Sequence, residues 1–117
     1  MAKPLYATDT AQAVNLLDLV GIVERGTVSK TLLNEPLFKQ VVFAMDAGQE
    51  LTEHRAPYLA LVQVLDGRLR ISVAGQEHQL VPTSWLLMPP DAPHDVHAET
   101  PSRFLLTLVR ASSGESR

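Results

Sequence analysis

Short runs of strong β formers recur roughly every ten residues along this chain, and turn residues cut off each one. Thr27 to Leu33 is stopped by Asn34-Glu35-Pro36, and Leu37 to Met45 by Asp46-Ala47-Gly48. Tyr58 to Leu65 ends at Asp66-Gly67, the clearest hairpin signal in the chain, because a two-residue turn needs positive φ and these residues tolerate it. Arg68 to Val73 alternates cleanly, with Leu69, Ile71 and Val73 on one face and Arg68, Arg70 and Ser72 on the other, so one side is buried and one is wet. A turn at Ala74-Gly75-Gln76 leads to a short strand ending near Val81. Trp85 to Met88 meets a loop stiffened by Pro89, Pro90 and Pro93, which removes ladder donors. His94 to Ala98 and Phe104 to Val109 complete the series. About eight to ten short strands without alternating helices specify an all-β sandwich or barrel.

A chain of 117 residues supports one core and one domain. Its expected divisions are an N-terminal arm with the first strand or strands over 1–36, the barrel core over 37–110, and a flexible tail over 111–117. Within the arm, Ala13, Leu16, Leu17 and Val20 have helical spacing and Gly21 follows, so a short helix and an irregular arm are equally open. No cysteine is present, so any metal would be held by imidazole, carboxylate or water. The net charge of −3 and singly scattered Lys and Arg argue against nucleic acid as a partner. No apolar run resembles a secretory signal or reaches membrane-spanning length, so the expectation is a cytoplasmic protein that does not engage membranes.

Two stretches concentrate the chemistry: Gly48 to Gly67, which contains His54, and Thr83 to His97, which contains His94 and His97. Gly48, five intervening residues, His54 and the closing Gly67 resemble the first motif of the cupin superfamily. Pro89 and Pro93-His94 resemble the second, with Thr83-Ser84 where that motif opens on Gly-Asp. The resemblance covers roughly Leu37 to Val109 and implies a small antiparallel jelly-roll barrel, commonly a homodimer. Metal-binding cupins typically hold the ion with three His and one Glu. The matching positions here are His54, Ala56, Ala60 and His94, so half of that set is missing.

Period-two geometry turns His54 toward the same cavity as Ala56. Two imidazoles alone make a weak metal site, since catalytic ions usually have three protein ligands. His97 has odd spacing from His94 and is expected on the outside unless a bulge re-aims it. Glu50 falls on the His54 face if its strand is unbroken, Glu53 faces away, and His78 lies on a polar strand and is expected at the surface. The Tyr58 to Leu65 strand is apolar on both faces, with Ala60, Val62 and Val64 opposed to Leu59, Leu61, Gln63 and Leu65. A second subunit or the arm is expected to cover one of them. Gln63 is then placed to bond across that interface or reach the pocket. Trp85, Phe38, Phe43 and Phe104 are expected in the core.

The functional expectation is a pocket that binds a small polar or anionic molecule through His54 and His94, with Gln63 as a further contact. The alternative is a dioxygenase, isomerase or decarboxylase with one nickel, iron, manganese or zinc ion on His54 and His94, completed by Glu50 or His97.

Overall fold

A computed structural model describes residues 3–110. The expected tail at 111–117 lies outside the described residues. Nine strands follow in chain order: β1 (Thr27–Asn34), β2 (Phe38–Met45), β3 (Glu50–His54), β4 (Leu59–Asp66), β5 (Leu69–Val73), β6 (Gln76–Leu80), β7 (Trp85–Met88), β8 (His94–Ala98) and β9 (Ser102–Val109). All pairs are antiparallel. They form a five-stranded sheet, β1-β2-β9-β4-β7, and a four-stranded sheet, β3-β8-β5-β6. The fold is an all-β cupin jelly-roll.

Alternation along the strands supplies the core. Met45, Val62, Val64 and Phe104 from the larger sheet meet Leu69, Ile71, Val96 and Ala98 from the smaller. Phe43 stacks on Phe104 with centroids 4.8 Å apart and an interplanar angle of 6°. A second cluster lies on the outer face of the five-stranded sheet. There Val42, Ala44 and Leu105 are covered by Val20, with Tyr6, Leu16 and Leu19 of the N-terminal arm packed alongside.

The arm is not a helix. Only a 3₁₀ turn, Leu16–Asp18, forms, with the Asn15 side chain accepting from the Leu17 amide. A helix would have turned its polar backbone and half its side chains away from the sheet. The irregular arm instead donates from the Leu5 and Tyr6 amides to the carbonyls of Thr31 and Leu32 on β1. Arg103 pins its far end. The guanidinium donates to the carbonyls of Leu17 and Val20 at 3.0 and 3.1 Å. It also pairs with Asp66 at 2.8 Å. Where the arm enters β1, the Arg25 and Ala47 amides donate to Asp46 and hold its carboxyl below the usual range. That contribution is present at neutral pH and disappears as acid protonates the group.

Two turns exchange the roles their sequences suggest. Asp66-Gly67 does not close a hairpin, because β4 and β5 belong to different sheets. It is a corner between sheets, with Gly67 at φ +83° packed against Pro101 and Ser102 of the β8–β9 connection. The buried Ser102 hydroxyl accepts from the Arg68 amide and donates to the Thr100 carbonyl, locking both connections together. The tight hairpin is Ala74-Gly75, which joins β5 to β6 with φ of +49° and +84°. Those are the two positive values a type I′ turn requires.

Trp85 is not a core residue. Leu86 and Met88 point inward from edge strand β7, which leaves Trp85 59% exposed on the outer face. Phe104 is buried as expected, whereas Phe38 and Phe43 are half-buried.

A Cβ at Gly67 would collide with Ser102 Oγ and the Pro101 carbonyl, whereas one at Gly75 meets open space. Gly67→Ala is expected to destabilise by about 2 kcal/mol or more and Gly75→Ala by about 1 kcal/mol, since only the former adds a clash to left-handed strain. Urea unfolding of the two variants checks the order. Arg103→Ala removes charge-assisted bonds and is expected to cost about 2 kcal/mol. Hydrogen exchange should then speed up most at arm amides.

Candidate functional site

His54 reaches the cavity through an irregularity in β3. Glu50 pairs with His97 and Leu51 with Val96, but the next partner of β8 is His54, opposite His94. Three residue steps on β3 therefore match two on β8, the mark of a β-bulge. Without the extra residue, His54 would share the face of Glu50 and point outward. The bulge keeps Leu51 and His54 both inward and sends Glu50 out. The unbroken strand that would put Glu50 on the His54 face is thus not what forms, and Glu50 is exposed. The bulge does not re-aim His97, which sits outside with Nδ1 3.1 Å from Glu50 Oε2. Neither Glu50 nor His97 completes a site with the histidine pair.

The two rings meet edge to face, with centroids 4.3 Å apart and an interplanar angle of 66°. His94 is 8% exposed and His54 is exposed at the mouth. Each Nδ1 lies against a carbonyl oxygen, His54 on Thr52 at 2.9 Å and His94 on Ala92 at 3.0 Å. A carbonyl only accepts, so each Nδ1 carries the proton. Both lone pairs then sit on the Nε2 atoms, which face each other at 3.1 Å. That contact holds only with a further proton or a cation between them.

The loops on either side are tied together. The Asp91 amide, at φ +66°, donates to the Ala56 carbonyl at 2.7 Å, linking the β7–β8 loop to the β3–β4 loop. The prolines of the first loop supply rigidity without donors. Behind the histidines lies a cavity of about 80 Å³. Phe43, Val62, Met88, Phe104 and Leu106 line it from the larger sheet, and Leu51 and Val96 from the smaller. A larger cleft of about 680 Å³ runs between arm residues Ala13 to Leu17 and Leu65, but it presents no ionisable group.

Gln63 does not reach this cavity. It is exposed on the opposite face of β4 from Val62 and Val64, beside Trp85. His78, expected at the surface, is half-buried opposite Ile71 at the sheet edge and takes no part in the cavity. Among the described residues, no group of three or more His, Asp or Glu could hold a metal ion. The apolar lining residues were accessible from strand alternation; the bulge left no signal in the polar Thr52-Glu53 pair.

Residues 40–114 match the family described as the AraC-like ligand binding domain. A conserved protein of unknown function from Streptococcus pyogenes is 25% identical, with TM-score 0.84, over 95% of this chain and 97% of that one. A cupin 2 conserved barrel domain protein from Leptotrichia buccalis is 35% identical with TM-score 0.80; the match covers 83% of this chain but 47% of that protein. A cupin superfamily protein from Desulfitobacterium hafniense, 20% identical over 95% of this chain and 99% of its own, shares the fold with TM-score 0.82. No curated protein is significantly similar in sequence. Barrel topology, motif spacing and the match over most of the chain agree: this chain belongs to the AraC-like ligand binding domain family of the cupin superfamily.

Proposed function

We propose that the protein binds a small anionic molecule at the His54–His94 pair. The observation that supports this is the 3.1 Å approach of the two Nε2 atoms beside an apolar cavity. With both Nδ1 atoms directed at carbonyls, a proton held between the Nε2 atoms would give the pair one positive charge. That charge would sit at the mouth of an apolar cavity, where an anion is its natural complement. A carboxylate oxygen accepting from one Nε2–H would replace the contact between the rings.

A second reading rests on the same 3.1 Å separation. Two imidazole nitrogens this far apart can both ligate one divalent ion at about 2.0–2.1 Å, and carbonyls already orient each ring through Nδ1. Such an ion, with His54 and His94 as its protein ligands, would act as a Lewis acid toward an oxygen of the bound molecule. Ala56 and Ala60 leave it without further protein donors, which favours the first reading.

The protein is further proposed to work as a homodimer. The arm covers only part of the outer face of the five-stranded sheet. Leu59, Leu61, Trp85 and Leu87 occupy the remainder beside Gln63, with no charge among them. By contrast, the outer face of the other sheet carries Glu50, Arg70, Glu77, Asp95 and His97.

Metal-free protein should gain thermal stability from small carboxylates, by about 2.7 kcal/mol at one hundred times Kd. His94→Ala should abolish the gain. No response to any anion would refute the first reading. Near-stoichiometric metal by elemental analysis, lost in both His54→Ala and His94→Ala, would establish the second. For the dimer, Trp85→Glu is expected to convert the sedimenting species to monomer with an unchanged circular dichroism spectrum. A monomeric parent protein would overturn that proposal.

A further inference from the structure

Within the cavity, polar groups occur only at one end. The seven other side chains that line the cavity are all apolar, and Val62, Met88 and Phe104 among them are almost fully buried. A ligand with hydroxyl groups along its length would strand them there without partners, at a penalty of about 1–3 kcal/mol each. A sugar therefore does not fit this chemistry. Size restricts the choice further. The cavity of about 80 Å³ equals roughly two to three water volumes. Pockets for drug-sized ligands run to about 300–1,000 Å³.

We infer that the ligand is a short-chain aliphatic monocarboxylate of about two to four carbons, with its head on the histidine pair and its tail against Met88, Phe104 and Leu106. This rests on the anion reading above and adds to it a chain-length limit set by the cavity's size. Phe43 and Phe104 are stacked and support each other, so neither ring swings aside without losing that contact. Met88 is unbranched and is the most adaptable residue of the lining. Shortening it should therefore enlarge the cavity and lengthen the tail that is accepted.

The test is titration calorimetry of the full chain at one fixed pH, with the sodium salts of acetate, propionate, butyrate, hexanoate and octanoate. Affinity is expected to peak within two to four carbons and fall at least tenfold by hexanoate. Met88→Ala should move the peak toward longer chains. Leu106→Ala, at a half-buried position, provides the same readout if the Met88 variant does not fold. Affinity that rises without a break to octanoate, or a peak unmoved in a folded variant, would overturn the chain-length assignment while leaving the anion site standing. Binding of no carboxylate by the parent protein or either variant would overturn both.

Discussion

A strand shows alternate residues to alternate faces, and the candidate site exists because β3 departs from that rule by one residue. Glu50 and His54 are four apart and would share a face on a regular strand; the bulge between Leu51 and His54 separates them. One carboxylate goes to the outer surface to meet His97, and one imidazole goes inside to meet His94. The same shift explains why the Thr52 carbonyl is available to His54 Nδ1 at 2.9 Å. The irregularity thus sets the ring's direction, its tautomer and its partner.

The surroundings of the pair reflect how the two sheets divide their duties. The four-stranded sheet turns a polar, charged face to solvent and holds both histidines on its inner face. The five-stranded sheet supplies the bulky apolar wall through Phe43, Met88 and Phe104. Its outer face is apolar as well, so it needs cover, which the arm gives to Val42, Ala44 and Leu105. Alanines at positions 56 and 60 remove two donors that the family's metal sites use. Electrostatics at the cavity therefore reduce to two imidazoles and the two carbonyls behind them.

Strand positions were legible because β-branched runs and turn residues mark them, and alternation identified Leu69, Ile71 and Val73 as an inner face. The pairing of those strands was less legible. Asp66-Gly67 carries the stronger hairpin signal, yet the chain uses it to change sheets, since a local dipeptide says that φ is positive without saying where the next strand goes. Trp85 misled for a related reason: on an edge strand apolar on both faces, hydrophobicity does not tell which side is in. His54 and His94 were legible through motif spacing. Their mutual approach depended on the bulge, and a bulge is one inserted residue with no required side chain.

Arg103 joins three parts of the molecule that are distant in the chain: it sits on β9, pairs with Asp66 at the end of β4, and holds the carbonyls of Leu17 and Val20. Its acceptors on the arm become useful only after β4 and β9 have found their register, because that pairing sets the guanidinium's position. The arm's two anchors thus depend on different pairings: the Leu5 and Tyr6 amides need only β1, whereas the Leu17 and Val20 carbonyls need the register of β4 with β9. Loss of the β4–β9 register would release the second anchor and leave the first in place.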